Sequence, residues 1–203
     1  MPDRTSALAP AYRPGLHGVK EATRATITLQ ERRGLSMLLV SCFPEDREAL
    51  ATILRESFGL WLGEPGESHQ ADGMSLLWQG PNRWLLVAPE ARHSDLTAAL
   101  EPLCTAHPAV AVTDLSHARS VIRLSGDSGR KLLAKECGLD LELSAFPAGA
   151  CALTRFSHYA VTLHAVEEET LDLYITRSFA LALWEELLDL GAEYGLQVED
   201  ASL

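Results

Sequence analysis

The feature that most constrains this chain is a recurring order of segments: two strand-length runs, a stretch of helical periodicity, two more strands and another helix. Residues 21–108 show it once and residues 109–203 show it again with sharper punctuation. Hairpin-length strand pairs followed by amphipathic helices favour antiparallel sheets with helices on one face, a duplicated α+β plan.

In the first half, strands are expected near 25–30 and 36–42. Pro44 then opens a helix whose first turn carries Glu45 and Asp46, which suit the helix dipole, and Gly59 closes it. Its apolar stripe is Leu50, Ile53, Leu54 and Phe58. Residues 63–73 read as a loop by composition. A hairpin joins 74–79 to 84–88 over Gly80-Pro81-Asn82-Arg83, where proline fixes one φ and asparagine tolerates the next. Ser94 is expected to cap a short helix carrying Leu96, Leu100 and Leu103.

In the second half, 109–114 and 119–125 alternate as a pair of strands. Asp127 is expected to cap a helix running through Cys137, with Gly138 as its stop. Strands follow near 150–156, 159–165 and 170–176, and Ser178 caps a long final helix ending at Gly195. That helix has an acidic face of Glu185, Glu186, Asp189 and Glu193 opposite an apolar face of Leu181, Trp184, Leu187, Leu188 and Tyr194. Residues 1–20, with Pro2, Pro10, Pro14, Gly15 and Gly18, show no periodicity. They read as a flexible tail, or an arm that orders only against a partner.

Charge and cysteine usage exclude several classes. The 203 residues carry a formal charge of −11, which repels nucleic acid and anionic membrane alike. No stretch approaches the ~20 apolar residues of a membrane span, and the first residues lack the apolar run of a secretory signal, so the expected location is the cytoplasm. Cys42, Cys104, Cys137 and Cys151 form no CxxC pair and read as small buried hydrophobes, not as a disulfide frame or zinc site.

Several motifs have competing readings. Gly126-Asp127-Ser128-Gly129 matches four residues of the chymotrypsin-type nucleophile signature, but Arg130 replaces its final glycine. Placed between a strand and a helix, Asp127 and Ser128 are first-turn residues satisfying free N–H groups. Gly129-Arg130-Lys131 lacks the spacing of a phosphate loop. His158 and His164 are separated by ~20 Å of strand and cannot share an ion. His117 lies in the polar run from Asp114 through Ser116 to Arg119, which reads either as a turn whose Asp and Ser bond nearby backbone or as a ligand or partner contact. Trp78, Trp84 and Trp184 are expected core anchors; an exposed tryptophan would mark a protein interface. The carboxylates of the last helix and of Glu167-Glu168-Glu169 supply no acid/base pair.

Four stretches then carry a resemblance: WQGPNRWLLVAP (78–89), VTDLSHARSVIRLSG (112–126), LLAKECGLDLELSAFPAGACALTRF (132–156) and LDLYITRSFALALWEELLDLGAEYG (171–195). In their order and spacing the chain resembles the gamma subunit of heterotetrameric sarcosine oxidase. Residues 113–184 also resemble the folate-binding domain of the glycine-cleavage aminomethyltransferase, the T-protein, through an Asp-x-Ser-His bend, a strand ending in Gly, a helix, an Asp-rich connection, a hairpin and a strand.

The resemblance implies two packed α/β-plait-like subdomains, 21–108 and 109–203, after the 1–20 tail. It implies an assembled enzyme that oxidatively demethylates sarcosine to glycine and hydrogen peroxide and passes the one-carbon unit to tetrahydrofolate. FAD, FMN, NAD and tetrahydrofolate are expected on the other subunits and none on this chain. T-protein relatives place a Gly-Gly-x-x-Asp-Asp run on the later hairpin, and its carboxylate engages the folate amine. Here Ser157-His158-Tyr159-Ala160-Val161-Thr162 stands instead, without a carboxylate. The expected role is a non-catalytic subunit that docks on and stabilises the large alpha subunit. Trp84, Asp114, Ser116, His117, Arg119 and Arg177 are its candidate contact or structural residues. The alternatives are a free-standing folate-binding or one-carbon-transfer protein, and an adaptor with no enzyme partner.

Overall fold

A computed structural model describes residues 5–18 and 25–202. Among them are twelve strands and four α-helices: β1 (Gly15–His17), β2 (Ile27–Arg32), β3 (Leu35–Ser41), α1 (Arg47–Phe58), β4 (Ser68–Ala71), β5 (Met74–Gly80), β6 (Arg83–Pro89), α2 (His93–Ala106), β7 (Ala111–Asp114), β8 (Arg119–Ser125), α3 (Gly129–Ala134), β9 (Cys151–Phe156), β10 (Tyr159–Glu167), β11 (Thr170–Thr176), α4 (Ala180–Gly191) and β12 (Leu196–Val198). The chain divides into two compact units. One holds Gly34–His117 with Gly149–Ala152; the other holds the described residues up to Arg33, Ala118–Ala148 and Leu153–Ser202.

The first unit is built on a five-stranded sheet ordered β4-β5-β6-β3-β7, antiparallel throughout. Helix α1 follows from its i, i+4 stripe: Leu50, Leu54 and Phe58 are buried together. Pro44 starts a 3-10 turn ahead of it, and Gly59 ends it in the left-handed region at φ 65°, its N–H reaching back to the carbonyls of Arg55 and Leu54. Leu96, Leu100 and Leu103 of α2 join the same core with Leu38, Val40, Leu86 and Trp84. Burying each such side chain stabilises the fold by about 1.5–3 kcal/mol. Asn82 turns the β5–β6 hairpin at φ 53°, as its type predicts.

The second unit is a seven-stranded sheet ordered β1-β12-β2-β8-β11-β10-β9, in which β12 runs parallel to β2 and the β1–β12, β2–β8, β8–β11 and β11–β10 pairs are antiparallel. Alternation along β8 and β11 sends Ile122 and Leu124, with Leu171, Leu173 and Ile175, to one face. Helices α3 and α4 cover that face. A Cβ on Gly129 would meet Leu124 at 2.4 Å, and one on Gly191 would meet Leu196 and Leu132 at 2.7–2.8 Å, so both glycines are there to let helix and sheet approach. The opposite face carries Arg119, Arg123, Asp172, Tyr174, Thr162 and His164.

Several expectations need correction. The boundary between units falls at His117, not near 108, and β2 belongs to the second unit, because β2 pairs with β8. Strands β7 and β8 are not partners: β7 pairs with β3 and β8 with β2 and β11. Residues 68–71, taken as loop, form the edge strand β4, and β12 follows the last helix. Ser94, Asp127 and Ser178 make no capping bond. Ser94 falls inside α2, Ser178 falls inside a 3-10 turn that precedes α4, and α3 begins only at Gly129 and ends by Ala134.

Residues 5–18 are also not a free tail. Leu8 is fully buried, β1 pairs with β12, and Tyr12 stacks on Trp184 with ring centroids 5.0 Å apart. The Tyr12 hydroxyl donates to the Glu199 carbonyl at 2.6 Å and accepts the Glu31 N–H at 3.0 Å, which fixes the arm on its own unit. Two anchors, Leu8 and Tyr12, in a proline-rich arm give no periodic signal, so composition alone misreads it. Residues 1–4, 19 and 20 of the expected tail lie outside the described residues.

Candidate functional site

The polar face of the seven-stranded sheet buries two ionisable residues, Asp172 and His164. Asp172, at the middle of β11, is only 1% exposed. Cross-strand register places it beside Arg123 on β8 and His164 on β10. Arg123 grips it with Nε at 2.7 Å and Nη2 at 2.9 Å, and Arg32 adds a third bond at 3.1 Å. The two-pronged geometry is the strong form of a guanidinium–carboxylate pair. Burial pulls Arg123 down, yet Asp172 outweighs that and holds its pKa above the ordinary arginine value. His164 is pushed down to about 4, chiefly by burial, so its imidazole is neutral at physiological pH. Both Asp172 oxygens are occupied by guanidinium groups, and a neutral buried histidine is a poor acid.

Four residues up β8 on the same face, Arg119 has a different environment. Its Nη1 donates to Thr162 Oγ1 at 3.3 Å, and no carboxylate among the described residues pairs with it. Burial alone lowers its pKa. It forms the floor of a cleft of about 260 Å³ together with Thr154, Thr162, Tyr174 and Thr176, and Leu153 stands at the rim.

The other predicted residues scatter. Trp84 is fully buried in the first unit, with the Arg47 guanidinium 5.1 Å above its ring. It is a core residue, with no exposed surface to offer a partner. The Asp114–His117 bend also belongs to the first unit, and it is tied down. Asp114 Oδ1 accepts the Ser116 N–H at 2.8 Å, and Ser116 Oγ accepts the Met37 N–H at 2.9 Å. Partial burial raises the Asp114 carboxyl, but the Ser116 bonds and the neighbouring His93 and His117 together hold it below the usual value. His93 lies 4.0 Å from Asp114 through Nε2 and 2.9 Å from Ser36 Oγ through Nδ1. This Ser-His-Asp chain is not a nucleophile's relay, because Ser36 is fully buried. It ties β3 to α2 and to the bend. His117 is exposed. Arg177 donates its N–H to Ala118 at 2.8 Å and its guanidinium to the Thr5 carbonyl, so it anchors the arm.

The protease-like tetrad is explained by packing. Gly126 sits at φ 106°, where a Cβ would meet the Thr26 carbonyl at 2.4 Å. Arg130, which breaks the signature, bonds the carbonyls of Glu168, Leu141 and Phe146 at 2.7–2.9 Å. All four cysteines are free, and burial pushes the Cys151 thiol up to about 11. Among the described residues no cluster of His, Cys, Asp and Glu has the geometry to hold a metal ion, and no helix is long and apolar enough to cross a membrane.

Sequence reasoning missed Arg32, Arg123, Asp172 and His164. The available signal was charge at strand-interior positions: Arg123 between Ile122 and Leu124, Asp172 between Leu171 and Leu173. Alternation assigns such residues to solvent; here they are paired inside.

Residues 46–193 match the sarcosine oxidase, gamma subunit family. The chain is 28% identical over 179 residues to the sarcosine oxidase gamma subunit of Corynebacterium sp. (strain P-1), covering 85% of this chain and 84% of that one. It is 30% identical over 151 residues to the gamma subunit from Arthrobacter sp., covering 73% and 72% respectively. Its fold superposes on a chain of the heterotetrameric sarcosine oxidase from Corynebacterium sp. U-96 with a TM-score of 0.76 and 26% identity, covering 94% of this chain and 96% of that one. It also matches the glycine cleavage system aminomethyltransferase T of Bartonella henselae at a TM-score of 0.64 and 19% identity, over 89% of this chain and 49% of that one, a likeness of fold.

Proposed function

Since the chain belongs to the sarcosine oxidase gamma subunit family, we propose that it is the small, non-catalytic subunit of a heterotetrameric sarcosine oxidase, docking on and stabilising the large alpha subunit. The assembled enzyme converts sarcosine, tetrahydrofolate and O2 to glycine, 5,10-methylenetetrahydrofolate and hydrogen peroxide in the cytoplasm. Its FAD, FMN, NAD and folate belong to the other subunits.

The observation that carries the non-catalytic reading is the state of Asp172. The T-protein-like fold implies folate, and a folate amine calls for a reachable carboxylate. The β9–β10 turn offers none in 157–162, and Asp172 is 1% exposed and held by two arginines. These residues do not fit the group. What the fold offers instead is exposed apolar side chains, among them Leu153 and Phe179, the usual material of subunit contact.

The test is reconstitution of the oxidase from the remaining subunits with and without this chain, followed by size-exclusion chromatography and a flavin absorbance scan. Loss of assembly or of thermal stability without it, with activity restored on adding it back, is expected. Equal assembly and stability in its absence would sink the reading. Titration of the isolated chain with tetrahydrofolate is expected to give no heat; micromolar binding would favour the free-standing folate-binding alternative.

A further inference from the structure

The Arg119 cleft combines features that a merely structural arginine does not need. The guanidinium has lost much of its water, and no carboxylate among the described residues replaces it. Arg123, four residues away on the same strand face, has a bidentate partner. Leaving a desolvated cation without a counter-charge is unfavourable, so such a position makes sense when the counter-charge arrives from outside. The cleft wall around it is hydroxylic, with Thr154, Thr162, Thr176 and Tyr174, which suits carboxylate oxygens.

The rim is apolar and exposed. Leu153 is 52% exposed at the cleft's edge. A guanidinium with an exposed aliphatic side chain at its edge is the kind of arrangement that dominates binding energy in protein interfaces, where the rim excludes water from the charged pair.

We propose that this cleft is a docking pocket for an aspartate or glutamate side chain of the subunit on which this chain sits, with Leu153 closing over the pair. The inference rests on the docking reading above and commits it to one surface. Charge complementarity selects the occupant: a chain of net charge −11 meets an acidic partner residue favourably only where it presents an isolated cation.

The experiment measures association of the full chain with the remaining subunits at low and high salt, for wild type, Arg119→Met, Arg119→Lys and Leu153→Ser. Arg119→Met is expected to raise Kd about 30-fold or more and to flatten the salt dependence, with Arg119→Lys intermediate. The melting temperature of free Arg119→Met should be unchanged or higher, because a desolvated charge is removed. Leu153→Ser should weaken binding without altering the salt dependence. An Arg119→Met chain that binds as wild type overturns the proposal. So does one whose free form melts lower while the complex is unaffected, which would make Arg119 structural. If sodium glutarate raises the melting temperature of the free wild-type chain and the complex ignores Arg119→Met, the cleft is a small-carboxylate site and the docking role falls. A wild-type chain that fails to associate at all overturns the docking reading itself.

Discussion

Arg123 and Arg119 are four residues apart on one strand and face the same side of one sheet, yet they live in opposite circumstances. Arg123 meets Asp172, shares it with Arg32, and gains basicity from the contact. Arg119 meets threonine and tyrosine and loses basicity to burial. One end of the sheet face is electrically closed; the other is open. The contrast teaches that buried charge in this fold serves two purposes. At Arg123 it fixes the register of β2, β8 and β11, and at Arg119 it leaves a contact unmade.

A first way to calibrate that contrast lies away from both arginines. Trp84→Ala in the first unit should cost about 3–5 kcal/mol, visible as a large fall in melting temperature, and shows what loss of packing alone looks like. Asp172→Asn should open the closed end at a cost of about 3 kcal/mol, because two arginines then face a neutral amide. Partial solvent access to both guanidiniums keeps the value at the low side of the range for broken buried pairs. Urea midpoints of the isolated chain measure it, and a loss below about 0.5 kcal/mol would erase the distinction between the two ends.

His164 gives the pH counterpart. Its folded pKa of about 4 lies below the ordinary 6.5, so between those values the unfolded chain binds a proton that the folded chain refuses. Stability is therefore full above pH 6.5 and falls as pH drops toward 4, by about 2 kcal/mol at pH 5. His164→Gln should flatten that slope in urea titrations, while Asp172→Asn should steepen it by removing the one neighbour that favours the protonated ring. Arg119→Met sits at the small end, within about 1 kcal/mol for the isolated chain; its consequence belongs to assembly. Smallest is His117→Ala, exposed in the bend, which should leave sarcosine turnover of the assembled enzyme nearly intact. A 100-fold loss with assembly unchanged would give that bend a role in the reaction.

Much of the fold was legible because its signals are local. Pro44, the 50-54-58 spacing and Gly59 define α1 within sixteen residues, and Pro81-Asn82 defines the central hairpin. What was not legible depends on distant pairing. Strands β1, β4 and β12 have three or four residues each, too few to show alternation, and β1 and β12 exist through each other. The adjacency of β7 and β8 in sequence suggested a hairpin, whereas the chain crosses from one sheet to the other between them. At the site, Arg119 was visible as a neighbour of the polar bend. Asp172 and Arg123 were not, because alternation says which face a residue takes and is silent on whether that face is wet.

The place of β12 between β1 and β2 has a consequence for how the molecule is made. On a ribosome, β1 emerges first and has no neighbour to hold it until residues 196–198 are synthesised and slot in alongside β2. The arm's Tyr12 likewise waits for Trp184. The first strand is thus the last to find its partner, and a nascent chain stalled before Leu196 would carry β1 unpaired for as long as the stall lasts.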